Sequence, residues 1–187
     1  MKRVNIMIGR FQPFTKGHYK CIETAAKQKG IPTVIAMIDT PENKVDEKHP
    51  FPSSLTLPLY KKLFEKDKNI EDIILVKSAD IVKISEELKK KNLQIASWTC
   101  GSDRIDTYTR MSSKYHDRAN LSDDFEMMEI FRTAEDISAT KVRQTLLNND
   151  KKEFIKLTPR IPLSMSMKND YYETLRTQIN SVNNLKK

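Results

Sequence analysis

The sequence predicts an α/β fold built on a parallel sheet. Short apolar segments alternate with helical segments over the first 150 residues, which is typical of βαβ units. Glycine-containing polar motifs directly follow two of the apolar segments, and the composition changes after Thr158. These observations predict a Rossmann-like, doubly wound parallel sheet with helices on both faces, followed by a C-terminal helical extension.

Each element is predicted from the spacing of its apolar residues. The predicted strands are 3–8, 32–39, 72–77, 94–100 and 126–131. The predicted helices are 16–29, 54–67, 80–91, 103–117 and 138–148. Because ligands of open parallel sheets bind at the carboxyl ends of the strands, we expect the functional site at that edge.

The C-terminal part is predicted to be a linker and a helix. Residues 1–157 are assigned to one domain and residues 158–187 to the extension. Within the extension, four apolar residues recur at helical spacing and predict a helix that docks on the domain. These residues are Tyr171, Leu175, Ile179 and Val182. The alternative is that this helix contacts a partner or forms a homo-oligomer.

The net charge of +8 fits an anionic partner. The basic residues are scattered, and Lys89 to Lys91 close a predicted helix, so we expect a solvated surface and a phosphate-lined pocket rather than a nucleic-acid interface. No stretch of 18 apolar residues predicts a membrane span, and residues 1–9 do not resemble a signal peptide. Cys21 and Cys100 suit a reducing compartment, which favours a cytoplasmic location.

The first chemical motif runs from Gly9 to His18, directly after the first strand. Gly9 lets the backbone turn close to a ligand, and Thr15 is placed to cap the helix that follows. A helix N-terminus offers unpaired N–H groups and a partial positive charge, which favour phosphate. His18 lies three residues after Thr15, on the same face, and could donate a hydrogen bond as negative charge builds on a phosphate oxygen. The plainer interpretation of an isolated Thr-x-Gly-His is a cap and a surface histidine.

The second motif, Ile137 to Arg143, opens the last helix of the domain. Ser138 and Thr140 place hydroxyls beside N–H groups, and Arg143 follows one turn later with a guanidinium that could grip phosphate through two hydrogen bonds. Taken alone, this motif is described better by a serine cap followed by a solvated arginine.

Between these motifs, the fourth strand ends in Gly101-Ser102-Asp103-Arg104. Asp103 could accept hydrogen bonds from ribose hydroxyls or an amino group, or it could cap the helix beginning at Arg104. A polar loop, Thr40 to Ser53, contains three prolines and is long enough to act as a lid.

Together the motifs resemble the nucleotidylyltransferase superfamily, with its (H/T)xGH and ISxTxxR signatures. The resemblance covers residues 2–150 and implies a nucleotide site. The matching residues are Gly9, Arg10, Phe11, Pro13, Thr15, Gly17, His18, Gly101, Asp103, Arg104, Ile137, Ser138, Thr140 and Arg143.

Different parts of the chain resemble different groups within the superfamily. Gly9 to Phe14 and His49-Pro50-Phe51 are similar to archaeal-type nicotinamide-mononucleotide adenylyltransferases. Ser138 to Arg143 and the residues after them resemble nucleotidylyltransferase-like proteins encoded by large tailed phages, which implies the host cytoplasm as the location if the chain is phage-encoded. Arg132 to Ser138 echoes the RTxGISTT of cytidylyltransferases but lacks its glycine and its Thr-Thr pair.

The resemblance implies that an NMP group, most readily AMP from ATP, is transferred to a phosphorylated acceptor with release of pyrophosphate. The favoured acceptor is nicotinamide mononucleotide, which would give NAD. His18 and Arg143 are assigned to the charge that develops on the α- and β-phosphates. Thr15, Ser138 and Thr140 are assigned to the β- and γ-phosphates, and Lys48, or alternatively Lys44, to the acceptor or the triphosphate.

No carboxylate cage is visible in the sequence, so we expect Mg²⁺ to be held mainly by the substrate phosphates and no metal site built from protein ligands. One alternative is a cytidylyltransferase that uses CTP and a phosphorylated alcohol. Another is a non-catalytic nucleotide-binding or structural phage protein on the same fold, although the intact set of Thr15, His18 and Arg143 argues against it. A nucleic-acid-binding protein is the third alternative.

Overall fold

The structure is a computed structural model that describes residues 1–131, 138–159 and 164–184. The strands are β1 (Lys2–Gly9), β2 (Thr33–Ile38), β3 (Ile70–Val76), β4 (Leu93–Gly101) and β5 (Leu121–Ile130). The helices are α1 (Lys16–Lys29), α2 (Ser53–Phe64), α3 (Ile81–Lys90), α4 (Ile105–Tyr115), α5 (Ala139–Leu147), α6 (Lys151–Leu157) and α7 (Met165–Asn184). A short 3₁₀ turn, Glu42–Lys44, lies between β2 and α2.

The five strands form one parallel sheet in the order β3-β2-β1-β4-β5. The order runs one way from β1 to β3 and the other way from β4 to β5, so the strand sequence reverses between β1 and β4. In open α/β sheets, ligands bind at such a reversal, beyond the carboxyl ends of the strands. β1 ends there at Gly9 and β4 at Gly101. The predicted Rossmann-like parallel sheet, with helices on both faces and a helical C-terminal part, is confirmed.

One face of the sheet packs against α3 and α4 through a continuous apolar core. Val4, Ile6 and Trp98 from the strands are fully buried there, as is Leu88 from α3. The indole of Trp98 stacks on the ring of Tyr108 from α4, with ring centres 4.2 Å apart. Burial of side chains of this size contributes about 1.5–3 kcal/mol each, so this core stabilises the sheet in which Gly9 and Gly101 lie.

The interior of the sheet also holds a buried polar network centred on Asn5. Its amide nitrogen donates to the Thr33 hydroxyl on β2 at 3.0 Å. Its amide oxygen accepts from the hydroxyls of Ser97 and Thr99 on β4, both at 2.8 Å. All four side chains are fully buried, so the network joins the three central strands while leaving their polar groups satisfied.

Contacts divide the chain into two compact units. The sheet unit comprises Met1–Gly9, Lys20–Ile38 and Lys68–Glu135. The motif unit comprises Arg10–Tyr19, Asp39–Asp67 and Asp136–Lys187. This division differs from the predicted boundary after residue 157, because α7 clusters with the residues that follow β1. The division at residue 157 stays a prediction about domain organisation.

The helix predicted within residues 158–187 is present as α7, and its apolar face lies against its own chain. Five of its residues are buried, and they pack with α5 and α6 inside the motif unit. These residues are Tyr171, Tyr172, Leu175, Ile179 and Val182. The apolar face of α7, from which docking was predicted, is therefore covered by other helices of the same chain. A homo-oligomer formed through this helix stays a prediction.

Two elements differ from the sequence-based assignment. β5 begins at Leu121 rather than at residue 126. Its first residues were not predicted as strand because they include two charged residues, Asp123 and Asp124, which an edge strand can carry. Helix α6 was not predicted, since it has only seven residues. Its signal was the Asp150 cap, whose carboxylate accepts from the backbone N–H of Glu153 at 2.9 Å.

None of the helices within the described ranges is long and apolar enough to cross a membrane.

We predict that Asn5→Ala lowers the free energy of unfolding by about 2–4 kcal/mol, because it leaves three buried hydroxyls without their shared partner. Urea denaturation followed by circular dichroism measures this change. Asn43→Ala, on the exposed 3₁₀ turn, is the matched control and should cost less than about 0.5 kcal/mol. Equal stabilities for the two variants would show that the buried network contributes little.

Candidate functional site

The first signature motif forms the beginning of α1. The Thr15 hydroxyl accepts a hydrogen bond from the backbone N–H of His18 at 3.3 Å, as expected for the residue that caps the helix. Thr15 is buried, whereas Lys16, Gly17 and His18 are half-buried. The first turn of α1 therefore combines a helix N-terminus with a partly accessible imidazole, a combination that favours an anion.

Hydrogen bonding assigns the two nitrogens of the His18 ring. The backbone N–H of Thr15 lies 3.0 Å from Nδ1, and because a backbone N–H can only donate, Nδ1 is the acceptor. The Thr15 hydroxyl lies 3.1 Å from the same nitrogen. In the neutral ring the proton is then on Nε2. This arrangement makes Nε2 a hydrogen-bond donor of the kind that could stabilise charge on a phosphate oxygen.

Aromatic packing fixes the plane of the His18 ring. The ring centre lies 5.1 Å from that of Phe11 in an edge-to-face arrangement and 5.3 Å from that of Phe14. Phe11 itself has a φ of 49°, in the left-handed region that bulky residues rarely adopt. Its side chain is buried, so this conformation places the phenyl ring beside the histidine.

Two tyrosines hold the strained segment in place. The Tyr60 hydroxyl on α2 donates to the Phe11 carbonyl at 2.8 Å and accepts from the Phe14 N–H at 3.0 Å. The Tyr171 hydroxyl on α7 donates to the Phe14 carbonyl at 2.9 Å. Burial raises the pKa of both phenols above the usual value, so they stay protonated and keep these hydrogen bonds at physiological pH.

Arg143 on α5 is bound to the same segment. Its Nη1 donates to the Gln12 carbonyl at 2.6 Å, and its Nη2 donates to the Thr140 hydroxyl at 3.1 Å. Arg143 is half-buried, so the interpretation as a simple solvated surface charge does not hold. The two contacts fix the guanidinium plane, and they use two of the five N–H donors that a guanidinium carries.

The environment of Arg143 is electrostatically mixed. Partial burial lowers the pKa of its guanidinium, and the negative charge of Asp46 opposes this shift. The pKa of Asp46 is itself lowered, mainly because its carboxylate accepts from the His49 backbone N–H at 2.6 Å. Arginine stays protonated at all physiological pH values, so Arg143 provides a fixed, partly desolvated positive charge.

The other residues of the second motif lie at the start of α5. Ser138 caps the helix, since its hydroxyl accepts from the Lys141 N–H at 3.2 Å. Ser138 and Thr140 are both exposed, and Thr140 also orients Arg143. Their assignment to the β- and γ-phosphates stays a prediction. Ile137, like residues 132–136 of the cytidylyltransferase-like stretch, lies outside the described residues.

Hydrogen bonds close the loop between β2 and α2 at its base and hold it near its C-terminal end. The Ser53 N–H donates to the Thr40 carbonyl at 2.9 Å, and the Thr40 N–H donates to the Ser53 hydroxyl at 2.7 Å. Near Ser53, the backbone of Phe51 pairs with the side-chain amide of Gln12. This loop carries both lysine candidates.

The two lysine candidates differ in their local structure. Lys44 ends the 3₁₀ turn, whereas Lys48 lies in the bend that precedes His49, and both are exposed. Near the start of the same loop, the Asp39 carbonyl accepts a hydrogen bond from the guanidinium of Arg10 at 3.0 Å. Which lysine reaches a ligand stays a prediction.

Four of the predicted site residues belong to the sheet unit. Gly9 and Gly101 end the adjacent strands β1 and β4. Asp103 and Arg104 are exposed, and their side chains form an ion pair at 3.6 Å. The capping position of α4 is Arg104, whose side chain makes no capping hydrogen bond, and both roles offered for Asp103 stay predictions.

Sequence reasoning missed three residues whose hydrogen bonds support the first motif and Arg143. Gln12, Tyr60 and Tyr171 were not identified as site residues, although all three bind the backbone or side chain next to His18 or Arg143. The available signal was weak. Gln12 lies inside the first motif, and Tyr171 was recognised only as a member of an apolar helical face.

Comparison with known proteins shows the family of the chain. The model of the Cytidylyltransferase-like family matches residues 6–145, which include both signature motifs. The chain belongs to this family. Its membership confirms the resemblance to the nucleotidylyltransferase superfamily.

One curated relative of this Cytidylyltransferase-like chain is a phosphopantetheine adenylyltransferase from Lactobacillus gasseri. The two are 36% identical over 84 residues, which is 44% of this chain and 46% of the relative. The match therefore spans less than half of the relative's length.

Solved structures show the same fold at low identity. Nicotinic acid mononucleotide adenylyltransferase from Plasmodium falciparum, complexed with NaAD, has a TM-score of 0.57 and 16% identity, over 93% of this chain and 98% of that chain. TmcAL from Thermotoga maritima, bound with alpha-thio ATP, has a TM-score of 0.56 and 11% identity, over 97% of this chain and 56% of that chain.

Within residues 1–131, 138–159 and 164–184, no group of three or more His, Cys, Asp or Glu side chains could hold a metal ion. The groups that gather around residues 11–15 are an imidazole, a guanidinium and hydroxyls, all of which can donate hydrogen bonds to phosphate oxygens. The donor set thus fits an anionic ligand.

Proposed function

We propose that the chain is a nucleotidylyltransferase that moves an NMP group from a nucleoside triphosphate to a phosphorylated acceptor and releases pyrophosphate. The observation that carries the proposal is the common anchoring of His18 and Arg143. His18 accepts from the Thr15 N–H, and Arg143 donates to the Gln12 carbonyl. The two backbone anchors, Gln12 and Thr15, are three residues apart and so at most about 11 Å from each other, which supports a shared ligand.

The proposed reaction is an in-line displacement at phosphorus. An oxygen of the acceptor phosphate forms a bond to the α-phosphorus, while the bond from the α-phosphorus to the bridging oxygen breaks and pyrophosphate leaves with the electron pair. Catalysis then requires positioning and stabilisation of charge rather than covalent chemistry by the protein.

The residues of the motif unit would divide these tasks. His18 would donate from Nε2 to a phosphate oxygen on which charge develops, and Arg143 would stabilise the same charge with its guanidinium. The N-terminus of α1 beside Thr15, and that of α5 beside Ser138 and Thr140, would bind the β- and γ-phosphates through N–H and hydroxyl groups. Lys48, or Lys44, would extend from its loop to the acceptor or the triphosphate.

The substrate would arrive as the magnesium complex of the triphosphate. The phosphates themselves would hold the ion, which when bound would neutralise part of their charge.

ATP is the favoured nucleotide, and nicotinamide mononucleotide is the favoured acceptor. The similarity to a phosphopantetheine adenylyltransferase supports adenylyl transfer. The similarity of Gly9 to Phe14 and of His49-Pro50-Phe51 to archaeal-type enzymes supports the acceptor. The second candidate is cytidylyl transfer from CTP, which is favoured by the Cytidylyltransferase-like family model.

We predict that His18→Ala lowers kcat about 10²- to 10³-fold, the effect of losing one well-placed donor to a developing oxyanion. Pyrophosphate release at saturating nucleotide measures it. His116→Ala, in the sheet unit, is the matched control and should retain the parent kcat. A His18 variant within a few-fold of the parent would remove His18 from its assigned role.

We predict that Arg143→Lys lowers kcat/KM about 10- to 100-fold, because a point charge replaces a planar fork and a charged hydrogen bond is lost. Steady-state kinetics with varied nucleotide measures the change. Arg110→Lys, on the exposed side of α4, is the control and should behave as the parent. Full activity of Arg143→Lys would contradict a bidentate contact to phosphate.

We predict that ATP binds and CTP does not. Titration calorimetry with analogues that carry a non-hydrolysable β,γ-bridge measures both affinities. Tight binding of CTP with no binding of ATP would overturn adenylyl transfer in favour of cytidylyl transfer.

We also predict that NAD forms when ATP and nicotinamide mononucleotide are supplied together. A panel that adds phosphopantetheine and simple phosphorylated alcohols, with pyrophosphate release as the readout, tests the acceptor. ATP binding without NAD formation would keep the reaction class and exclude this acceptor.

A further inference from the structure

Gln12 occupies an unusual position in the motif unit because both its side chain and its backbone are engaged. It is 5% exposed. Its side-chain Nε2 donates to the Phe51 carbonyl at 2.7 Å, and the Phe51 N–H donates to Gln12 Oε1 at 3.0 Å. The amide thus pairs with the backbone of Phe51 through two hydrogen bonds, as one strand residue pairs with another.

The same side chain also reaches the base of the loop. Nε2 lies 3.3 Å from the hydroxyl of Thr40. The backbone N–H and carbonyl of Thr40 make two further hydrogen bonds with Ser53. Thr40 and Phe51 are both buried. The amide of Gln12 therefore joins the two ends of the loop that carries Lys44 and Lys48.

The backbone carbonyl of Gln12 faces the other part of the site. It accepts from Nη1 of Arg143 at 2.6 Å, the shorter of the two hydrogen bonds that orient this guanidinium. A shift of the Gln12 carbonyl would move Arg143 relative to the Nε2 donor of His18. A displacement of about 1 Å in a catalytic arrangement can cost on the order of 10²-fold in rate.

We propose that Gln12 is a positioning residue, whose side-chain pairing with Phe51 sets the place of its carbonyl and thereby the direction of the Arg143 guanidinium. Gln12 itself touches no substrate in this proposal. The kinetic part of the inference rests on the proposed function, whereas the structural part concerns the free protein.

The test uses Gln12→Met, which keeps the approximate length and volume of the side chain and removes its hydrogen bonds to Phe51 and Thr40, together with Gln12→Ala. Gln178→Ala is the matched control, because Gln178 on α7 donates to the neighbouring Pro50 carbonyl at 3.1 Å and has no described bond to Arg143. Circular dichroism establishes that each variant is folded.

Amide hydrogen exchange provides the readout that does not require activity. We expect exchange at the Phe51 amide to become at least about 10-fold faster in Gln12→Met, the equivalent of about 1.4 kcal/mol of lost protection, and to stay at the parent rate in Gln178→Ala. Unchanged protection in Gln12→Met would overturn the proposal, even if the protein transferred no nucleotide at all.

Kinetics tests the action through Arg143. We expect Gln12→Met and Gln12→Ala to lower kcat about 10- to 100-fold, with a much smaller change in the KM for nucleotide. In the Arg143→Lys background the same substitution should cost far less, since the two residues act as one unit. Additive effects in this double-mutant cycle, or an equal kcat loss in Gln178→Ala, would overturn the positioning role.

Discussion

The organisation of the motif unit depends on the hydrogen bonds that hold the backbone of residues 11–14. Tyr60 binds the carbonyl of Phe11 and the N–H of Phe14, and Tyr171 binds the carbonyl of Phe14. Arg143 binds the carbonyl between them, at Gln12. Each of these polar groups is satisfied by a side chain rather than by a neighbouring strand, so the segment can leave regular structure without leaving buried groups unpaired.

This constraint explains why the strained backbone of Phe11 persists. A left-handed conformation in a bulky residue costs about 1–3 kcal/mol, and it is retained only where the surroundings over-determine it. The buried phenols supply that support, and the ring of Phe11 then packs against His18. The strain is thus coupled to the orientation of the imidazole.

Much of the fold was predictable from local pattern. The strands and most helices follow from apolar spacing, and Thr15 and His18 meet because three residues form nearly one helical turn. The site beyond that pair was not predictable, since Arg143 meets Gln12 across 131 residues and no local pattern fixes such a contact. The role of Gln12 was not predictable for the same reason, because its contact with Phe51 depends on the path of an irregular loop.

The contact between Tyr171 and Phe14 joins residues 157 positions apart in the chain. During translation, Phe14 leaves the ribosome long before the helix that supplies this hydroxyl. The backbone carbonyl of Phe14 therefore lacks the partner that Tyr171 provides until α7 has emerged and packed. Completion of this site is consequently a late event in biosynthesis, set by the position of one tyrosine in the chain.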